Sequence, residues 1–300
     1  MLPAVDVTIL TNSVGFGVVT ASILCLGAVG FTMQFGITNY FNLAFASVMA
    51  ACAFIAYVAN HAGLNIWLAM VIAAVAGAAI SVLLNRLVYA PFARRLKALY
   101  QTLIVTLATA FFLNNLLLAI VGTGFLSYSA PPGHVLRFSG VALTPQQLEI
   151  IALAVVTMLG THLLLTQTKL GKAMRATAAN PALARSCRIN TSRVIDLAWG
   201  ISGALCGIAG VTVALNTTSF GVDTESNVLV LVIAAAILGG VGRPYGAMAG
   251  ALVVGVSTEV AAALGNPLYK EVVALVILVI VLLARPQGLF GARESRAVTR

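Results

Sequence analysis

The sequence contains few charged residues. Of its 300 residues, 17 are Lys or Arg and 8 are Asp or Glu, so 8% are charged and 60% hydrophobic, with a mean hydropathy of +1.03. A soluble domain carries about 25% charged residues, so this composition excludes a water-soluble globule of this size. Lipid offers no hydrogen bonds to the backbone, and helices satisfy theirs internally. We therefore expect an all-α fold, a polytopic membrane helical bundle of about 8 or 9 transmembrane helices.

Motifs for catalysis, metal binding and ATP hydrolysis are also missing. No G-x-x-x-x-G-K-[ST] loop, H-E-x-x-H motif or G-x-S-x-G elbow occurs. The four cysteines form no C-x-x-C pair and lie mostly in apolar runs, which favours buried small side chains over disulfides or a metal site. We expect no catalytic residue, no metal or cofactor bound by this chain, and no ATPase site of its own.

The charge that is present is mostly positive, with a formal net charge of +9. Nucleic-acid binding would require a basic module with interleaved aromatics, and the sequence shows none. Membrane proteins gather Lys and Arg in their cytoplasmic loops, which accounts for the excess. The expected partner is therefore the lipid bilayer and not a nucleic acid. Residues 1–8 carry no basic residue, so we expect no cleaved signal peptide.

Nine apolar runs are candidate membrane spans, because about 20 apolar residues cross a hydrocarbon core of about 30 Å. They cover residues 9–31, 36–60, 64–89, 99–121, 148–166, 194–216, 228–239, 246–264 and 272–284. Fifteen of the 17 Lys and Arg lie at or after the ends of runs three, five, seven and nine. The positive-inside rule then makes the C-terminus cytoplasmic and the N-terminus external. If one run is re-entrant, eight spans and a cytoplasmic N-terminus result.

Polar residues interrupt the apolar sequence around the start of the second run. Gln34, Asn39 and Asn42 lie there, beside Gly36. Unpaired amides are costly in lipid, so we expect the helix to bend or unwind at this point and to line a cavity.

A second interruption, at residues 239–246, is rich in glycine. Its turn-forming residues are Gly239, Gly240, Gly242, Pro244 and Gly246. They predict a tight structural turn between two spans, and a short surface hairpin loop is the alternative.

Residues 169–193 form an alanine-rich segment between runs five and six. Asn180 suits an N-cap and Pro181 the first helical position, so we expect a short helix from Pro181 to about Arg188. Its apolar stripe consists of Leu183, Cys187 and Ile189. Such a helix either packs its apolar side chains into a groove on a partner protein or lies on anionic lipid headgroups. The residues alone favour neither alternative.

Glu259 is the one acidic residue that we place well inside a span. It either lines a polar path, pairs with a partner helix, or lies at the outer interface five residues before Leu264. Small residues four apart, at Gly203 and Gly207 and at Gly246 and Gly250, predict close helix packing.

Together these features resemble the shorter permease type of branched-chain amino-acid ABC importers, over nearly the whole chain. The strongest likeness is in Gly239-Gly240-Val241-Gly242 with Pro244, Gly246 and Gly250, and in the ending Arg-Pro-Gln-Gly-Leu-Phe-Gly at 285–291. Residues 171–181 are also similar to the family, in which they precede the coupling helix that seats in the ATPase subunit. This likeness favours an ATPase contact over a headgroup contact.

The resemblance implies a single membrane permease domain, 1–300, that includes the cytoplasmic coupling segment 169–193. It implies as partners a second related permease, two cytoplasmic subunits that bind and use ATP, and a periplasmic solute-binding protein, at the bacterial inner membrane. The residues then expected to couple to the ATPases are Arg175, Asn180, Pro181, Leu183, Ala184, Arg188 and Ile189. Those expected along the substrate path are Gln34, Asn39, Asn42, Asn114, Asn115 and Glu259.

Two departures from the family pattern leave the solute open. Where the family tends to read Asn-x-Ala-His-Gly and an acidic residue, this chain has Asn42-Leu43-Ala44-Phe45-Ala46-Ser47, and Arg188 replaces a glycine before Ile189-Asn190. Either a different ATPase surface or a different local turn follows from Arg188. The expected cargo is a branched-chain or hydrophobic amino acid, or a small polar solute such as urea or an amide. An ion- or proton-coupled secondary transporter is the alternative, and it would have Glu259 for its coupling ion.

Overall fold

The structure is a computed structural model that describes residues 7–95, 99–129, 135–138, 141–266, 269–285 and 288–290. The helices are α1 (Val7–Thr38), α2 (Phe45–His61), α3 (Ile66–Leu84), α4 (Ala90–Arg95), α5 (Leu99–Val121), α6 (Pro145–Gln167), α7 (Lys169–Ala179), α8 (Pro181–Ser186), α9 (Thr191–Thr217), α10 (Thr224–Gly239), α11 (Pro244–Leu264) and α12 (Lys270–Ala284). A π-helical turn, Asn85–Tyr89, joins α3 to α4. Two short strands, β1 (Leu136–Phe138) and β2 (Val141–Leu143), pair antiparallel.

Each of the nine apolar runs forms a helix, so the predicted polytopic helical membrane fold is confirmed. Six helical stretches within the described ranges are long and apolar enough to cross a membrane. The other three, α2, α10 and α12, have 17, 16 and 15 residues. At 1.5 Å per residue they extend only about 22–26 Å, less than a hydrocarbon core of about 30 Å. Each of these three helices is therefore too short to cross the core perpendicularly.

The break between the first two runs lies where the polar residues predict it. α1 continues through Gly36 to Thr38, seven residues beyond the predicted end of the run. Asn39 then adopts a left-handed conformation with φ of +58°, and its N–H donates to the Phe35 carbonyl at 2.7 Å. Asparagine tolerates this geometry, which commonly ends helices. The chain resumes a helix only at Phe45.

The centre of the bundle is formed by α1 and α9, the most buried of the long helices, and several helix pairs pack through small residues. A Cβ atom at Gly203 of α9 would lie 2.3 Å from the Gly77 carbonyl oxygen of α3, and one at Gly250 would lie 2.1 Å from the Ala235 carbonyl oxygen of α10. No side chain fits at these contacts, so the predicted close helix packing is confirmed. By contrast, α5 and α6 expose most of their surface, which places them at the periphery.

In the sequence, Pro131, Pro132 and Gly133 predict an irregular cap for the loop after α5, residues 122–144, and part of this loop is a hairpin instead. The β1–β2 hairpin packs on the start of α1, where the Ala142 N–H donates to the Asn12 amide oxygen at 2.9 Å. The prolines Pro131 and Pro132 and Gly133, on which the expectation rested, lie outside the described residues.

The glycine-rich segment 239–246 makes a tight turn between α10 and α11. Gly240 and Gly242 have φ of +105° and +85°, conformations that L side chains rarely adopt. Residues 288–290 pack on this turn, and the Leu289 N–H donates to the Leu238 carbonyl at 2.8 Å. Of the terminal motif at 285–291, Pro286, Gln287 and Gly291 lie outside the described residues, as do Lys97, Arg293, Arg296 and Arg300.

Candidate functional site

A groove of about 470 Å³ lies between α2, α5 and α10. It is lined by Leu43, Ala46, Ser47, Leu107, Ala110, Phe111, Asn114, Asn115, Asp223, Ser226 and Leu229. The Ser47 hydroxyl donates to the carbonyl of Ala110 at 3.1 Å. Ala110 is the middle residue of α5, which spans Leu99–Val121. The groove therefore lies near the centre of the fourth span.

The polar groups of the groove come from three helices. Asn114 and Asn115 belong to α5, Ser47 to α2, and Ser226 to α10, with Asp223 just before it. Asp223 is exposed and makes no side-chain hydrogen bond to the start of α10. Leucine, alanine and phenylalanine side chains supply the remaining walls. The groove thus combines a carboxylate, two amides and two hydroxyls with an apolar surface.

Asn42 and Gln34 lie behind the groove and hold the break before α2. The Asn42 amide nitrogen donates to the Gln34 amide oxygen at 3.1 Å, and the Asn42 amide oxygen accepts from the Ala44 N–H at 3.1 Å and the Tyr89 hydroxyl at 3.2 Å. Both amide side chains are buried. This network positions Leu43, Ala46 and Ser47 at the groove without placing its own amides in the lining.

The structure does not bring the other two predicted path residues to the groove. Asn39 is exposed at the end of α1. Glu259 pairs with Lys270 at 2.6 Å and accepts from the Thr20 hydroxyl at 2.8 Å. This carboxylate is therefore held between α1, α11 and the start of α12.

The sequence analysis missed three residues near the start of α10. The helix begins at Thr224, four residues before the predicted run, so Glu225 lies inside it and Glu259 is not the only acidic residue within a span. Glu225 is fully buried, and neither carboxylate oxygen has a hydrogen-bond partner among the described residues. Asp223 and Ser226, one on each side along the chain, line the groove. The acidic and hydroxyl residues directly before an apolar run were the signal that could have revealed them.

An aromatic cluster closes the bundle at the end where α2 and α9 finish. Leu126 and Phe220 exchange two backbone hydrogen bonds of 2.9 Å, and the Tyr128 and Phe220 rings lie 5.1 Å apart. The Tyr128 hydroxyl donates to the Ala53 carbonyl at 2.9 Å, and burial raises the pKa of this phenol well above its usual value. Phe54 completes the cluster, 5.4 Å from Phe220. We call these contacts the aromatic cap.

The coupling segment forms two short helices separated by Asn180. The Asn180 amide oxygen accepts from the N–H groups of Ala182 and Leu183, both at 3.0 Å, and so caps α8. α8 ends at Ser186, two residues before the predicted end. Its faces differ, because Ala184 is 4% exposed whereas Leu183 is 62% exposed.

The predicted apolar stripe of α8 is divided by this packing. Ile189 is half-buried against the core, whereas Leu183 and Cys187 face outward. Arg188, at the position of the family glycine, adopts a left-handed φ of +62°. The Ile189 N–H then donates to the Ala184 carbonyl at 3.0 Å and closes the helix end. Arg188 therefore occupies a left-handed turn, a conformation that glycine adopts more readily.

Comparisons with known proteins identify the family. A model of the family described as branched-chain amino acid transport system / permease component matches residues 13–282. The high-affinity branched-chain amino acid transport system permease protein BraD of Pseudomonas aeruginosa is 28% identical over 298 residues, which cover 94% of this chain and 96% of that protein. LivH of Escherichia coli K12, of the same description, is 28% identical over 297 residues with the same coverage. The probable branched-chain amino acid transport permease LivH of Methanocaldococcus jannaschii is 27% identical and covers 91% of this chain and 90% of its own length. The chain belongs to this permease family.

Proposed function

We propose that the chain, a permease component of the branched-chain amino acid transport family, is a membrane subunit of an ABC importer. It carries branched-chain or other hydrophobic amino acids, or a similarly small polar solute, into the cytoplasm. It lies in the bacterial inner membrane with its C-terminus in the cytoplasm, and a periplasmic binding protein delivers the solute. The proposal depends mainly on the groove between α2, α5 and α10, which we call the mid-depth groove. It lies in a chain that matches the permease family over residues 13–282.

The groove suits a small zwitterion with an apolar side chain. The Asp223 carboxylate attracts an ammonium group, while Asn114 and Ser226 donate hydrogen bonds to a carboxylate. Leu43 and Leu107 supply an apolar wall for the side chain. These contacts are few and individually weak, which suits a path that must release what it binds.

A second permease completes the path in this proposal. α5 contributes the groove's amides, yet Phe111 and Phe112 on the same helix are 63% and 66% exposed. An exposed aromatic surface next to a polar groove is the kind of surface that protein interfaces cover. A related subunit packed on α5 would bury these rings and turn the groove into an enclosed path.

Coupling to two ATP-binding subunits is assigned to α8. Leu183 presents an isolated apolar side chain, flanked by the exposed Arg185 and Arg188, and Ala184 anchors the helix on the bundle. ATP binding closes the ATPases, and the movement of α8 passes through α7 to α6 and directly to α9. The free energy of this coupling cannot exceed the difference in contact energy between the open and closed states of the ATPases.

Uptake by the whole importer tests the proposal. The complex, purified through a tag on this chain, is reconstituted in proteoliposomes with its binding protein, and uptake of radiolabelled leucine and urea is measured with ATP on the cytoplasmic side. We expect ATP-dependent uptake and at least a tenfold loss in Asp223→Asn, because a hydrogen bond to a charged group contributes about 1.5–3 kcal/mol. Glu149→Gln, which neutralises an exposed acid on α6, is the matched control and should leave uptake unchanged.

Two results would contradict the proposal. Accumulation driven by a sodium or proton gradient without ATP would identify a secondary transporter. Wild-type uptake by Asp223→Asn and by Asn114→Leu would remove the groove from the path.

The ATPase contact has its own test. Leu183→Asp places a charge in an apolar contact without disturbing the fold, because the side chain is exposed. We expect normal membrane yield but loss of the ATPases on co-purification, with Leu183→Met as the conservative control. Retention of the ATPases by Leu183→Asp would refute the assignment of α8.

A further inference from the structure

A second groove of about 560 Å³ lies at the end of the bundle where α1 finishes and α11 begins. Its walls are mostly apolar and include Met33 and Ile37 of α1, Leu165 of α6 and Met174 of α7. It shares no lining residue with the mid-depth groove. Solute translocation therefore gives it no role.

Two arginines converge on this groove from different parts of the chain. Arg175 lies on α7, and Arg243 directly precedes α11. Both are exposed, and each donates one N–H to a backbone carbonyl, Arg175 to Leu165 and Arg243 to Phe290. A guanidinium has five N–H donors, so four remain on each. Neither arginine forms an ion pair with a carboxylate of the described residues.

The buried and aromatic residues of the groove also point to a ligand. Thr32 lines it, is fully buried, and its hydroxyl has no hydrogen-bond partner within the described ranges. At the rim, the Tyr245 hydroxyl lies 2.9 Å from the His162 Nδ1 atom, and the two rings meet edge to face. Tyrosine is typical of the boundary between headgroups and hydrocarbon. An apolar groove that is lined by two cationic groups and carries a tyrosine suits an anionic lipid.

We propose that this groove, the arginine groove, binds one anionic phospholipid of the cytoplasmic leaflet. The phosphate lies between Arg175 and Arg243. Each guanidinium group can donate two parallel hydrogen bonds to phosphate oxygens. An acyl chain lies along Met33, Ile37 and Leu165. The assignment to the cytoplasmic leaflet depends on the membrane orientation given under the proposed function. The proposal that the groove binds an anionic lipid does not depend on that orientation. A free phosphate shares the headgroup chemistry but gains nothing from the apolar walls.

Native mass spectrometry of the purified complex tests the proposal with defined lipids. Phosphatidylglycerol and phosphatidylcholine with identical acyl chains are added in turn, and glycerol phosphate and inorganic phosphate are added as competitors. We expect retention of phosphatidylglycerol over phosphatidylcholine, and no displacement by either soluble phosphate. In the double variant Arg175→Gln, Arg243→Gln we expect about thirtyfold weaker phosphatidylglycerol binding, from about 1 kcal/mol for each basic residue.

The control removes the same charge elsewhere. The double variant Arg185→Gln, Arg188→Gln lies in the same cationic segment but outside the groove, and it should bind phosphatidylglycerol like the wild type. If the groove double variant does not fold, Ile37→Trp fills the acyl site with both arginines in place, and it should also lose the lipid.

Each opposite result overturns the proposal. Equal losses in the two double variants would mean general electrostatic attraction. Equal retention of the two lipids would mean no headgroup site, and displacement by inorganic phosphate would mean a soluble anion site. The experiment measures lipid binding and not transport. Its result can therefore be interpreted even if the proposed importer function is wrong.

Discussion

Replacing Arg188 by glycine should stabilise the end of α8. Arg188 has φ of +62°, and the hydrogen bond that closes the helix end, from the Ile189 N–H to the Ala184 carbonyl, requires this conformation. A residue with a Cβ atom pays about 1–2 kcal/mol for the left-handed region. Glycine avoids this cost but loses about 0.5–1 kcal/mol more conformational freedom on folding. The expected net gain is about 1 kcal/mol.

Hydrogen exchange measures this gain at the helix end itself. A change of about 1 kcal/mol alters a local opening equilibrium about fivefold, so the Arg188 and Ile189 amides should exchange about fivefold more slowly in Arg188→Gly. Arg188→Ala is the essential control, because it removes the same charged side chain and keeps the Cβ atom. The difference between the two variants isolates the backbone effect.

Equal exchange in the glycine and alanine variants would refute the reasoning. It would mean that the left-handed conformation costs nothing here, or that the turn opens by another route. Faster exchange in both variants would instead show that the guanidinium group of Arg188 stabilises the segment.

Two further predictions concern packing and the break before α2. Gly203→Val should abolish folded protein, because even a Cβ atom at this position would lie 2.3 Å from the Gly77 carbonyl oxygen. Gly160→Ala is the control, because a Cβ atom there would have no atom within 4 Å. The yield of folded protein is measured by size-exclusion chromatography, and the control should leave it unchanged. Asn42→Leu should lower the melting temperature in detergent, because it leaves the buried Gln34 amide oxygen without its donor, at about 1–3 kcal/mol, and removes one acceptor of the Tyr89 hydroxyl. A melting curve like that of Asn115→Leu, an exposed control, would contradict this.

The helices were predictable because lipid leaves the backbone no other partner. Nine apolar runs were enough to locate nine helices, and errors arose where polar residues are helical. α1 extends past Gln34 because Asn42 supplies its hydrogen bond, and α10 begins at Thr224 although Glu225 follows at once. A hydropathy pattern ends a span at such residues, since it contains no information about a partner elsewhere in the chain.

The candidate site was predictable only on the helix that carries most of it. Asn114 and Asn115 are adjacent amides in an apolar run, and both line the groove. Asp223 and Ser226 reach the same groove because of how the chain enters α10, a tertiary feature without a sequence motif. Glu259 shows the converse: its partner Lys270 is eleven residues away, beyond the end of α11, so the fold pairs a residue whose role the sequence left open.

The aromatic cap and the groove depend on the same two helices. Leu126 follows α5, which carries Asn114, and Phe220 lies three residues before Asp223 at the start of α10. Each forms a backbone hydrogen bond to the other, so the cap holds the ends of α5 and α10 together. Separation of Leu126 from Phe220 would free these ends and move the amides of α5 away from the carboxylate beside α10. If the proposed importer uses this groove, we expect the aromatic cap and the solute site to open together.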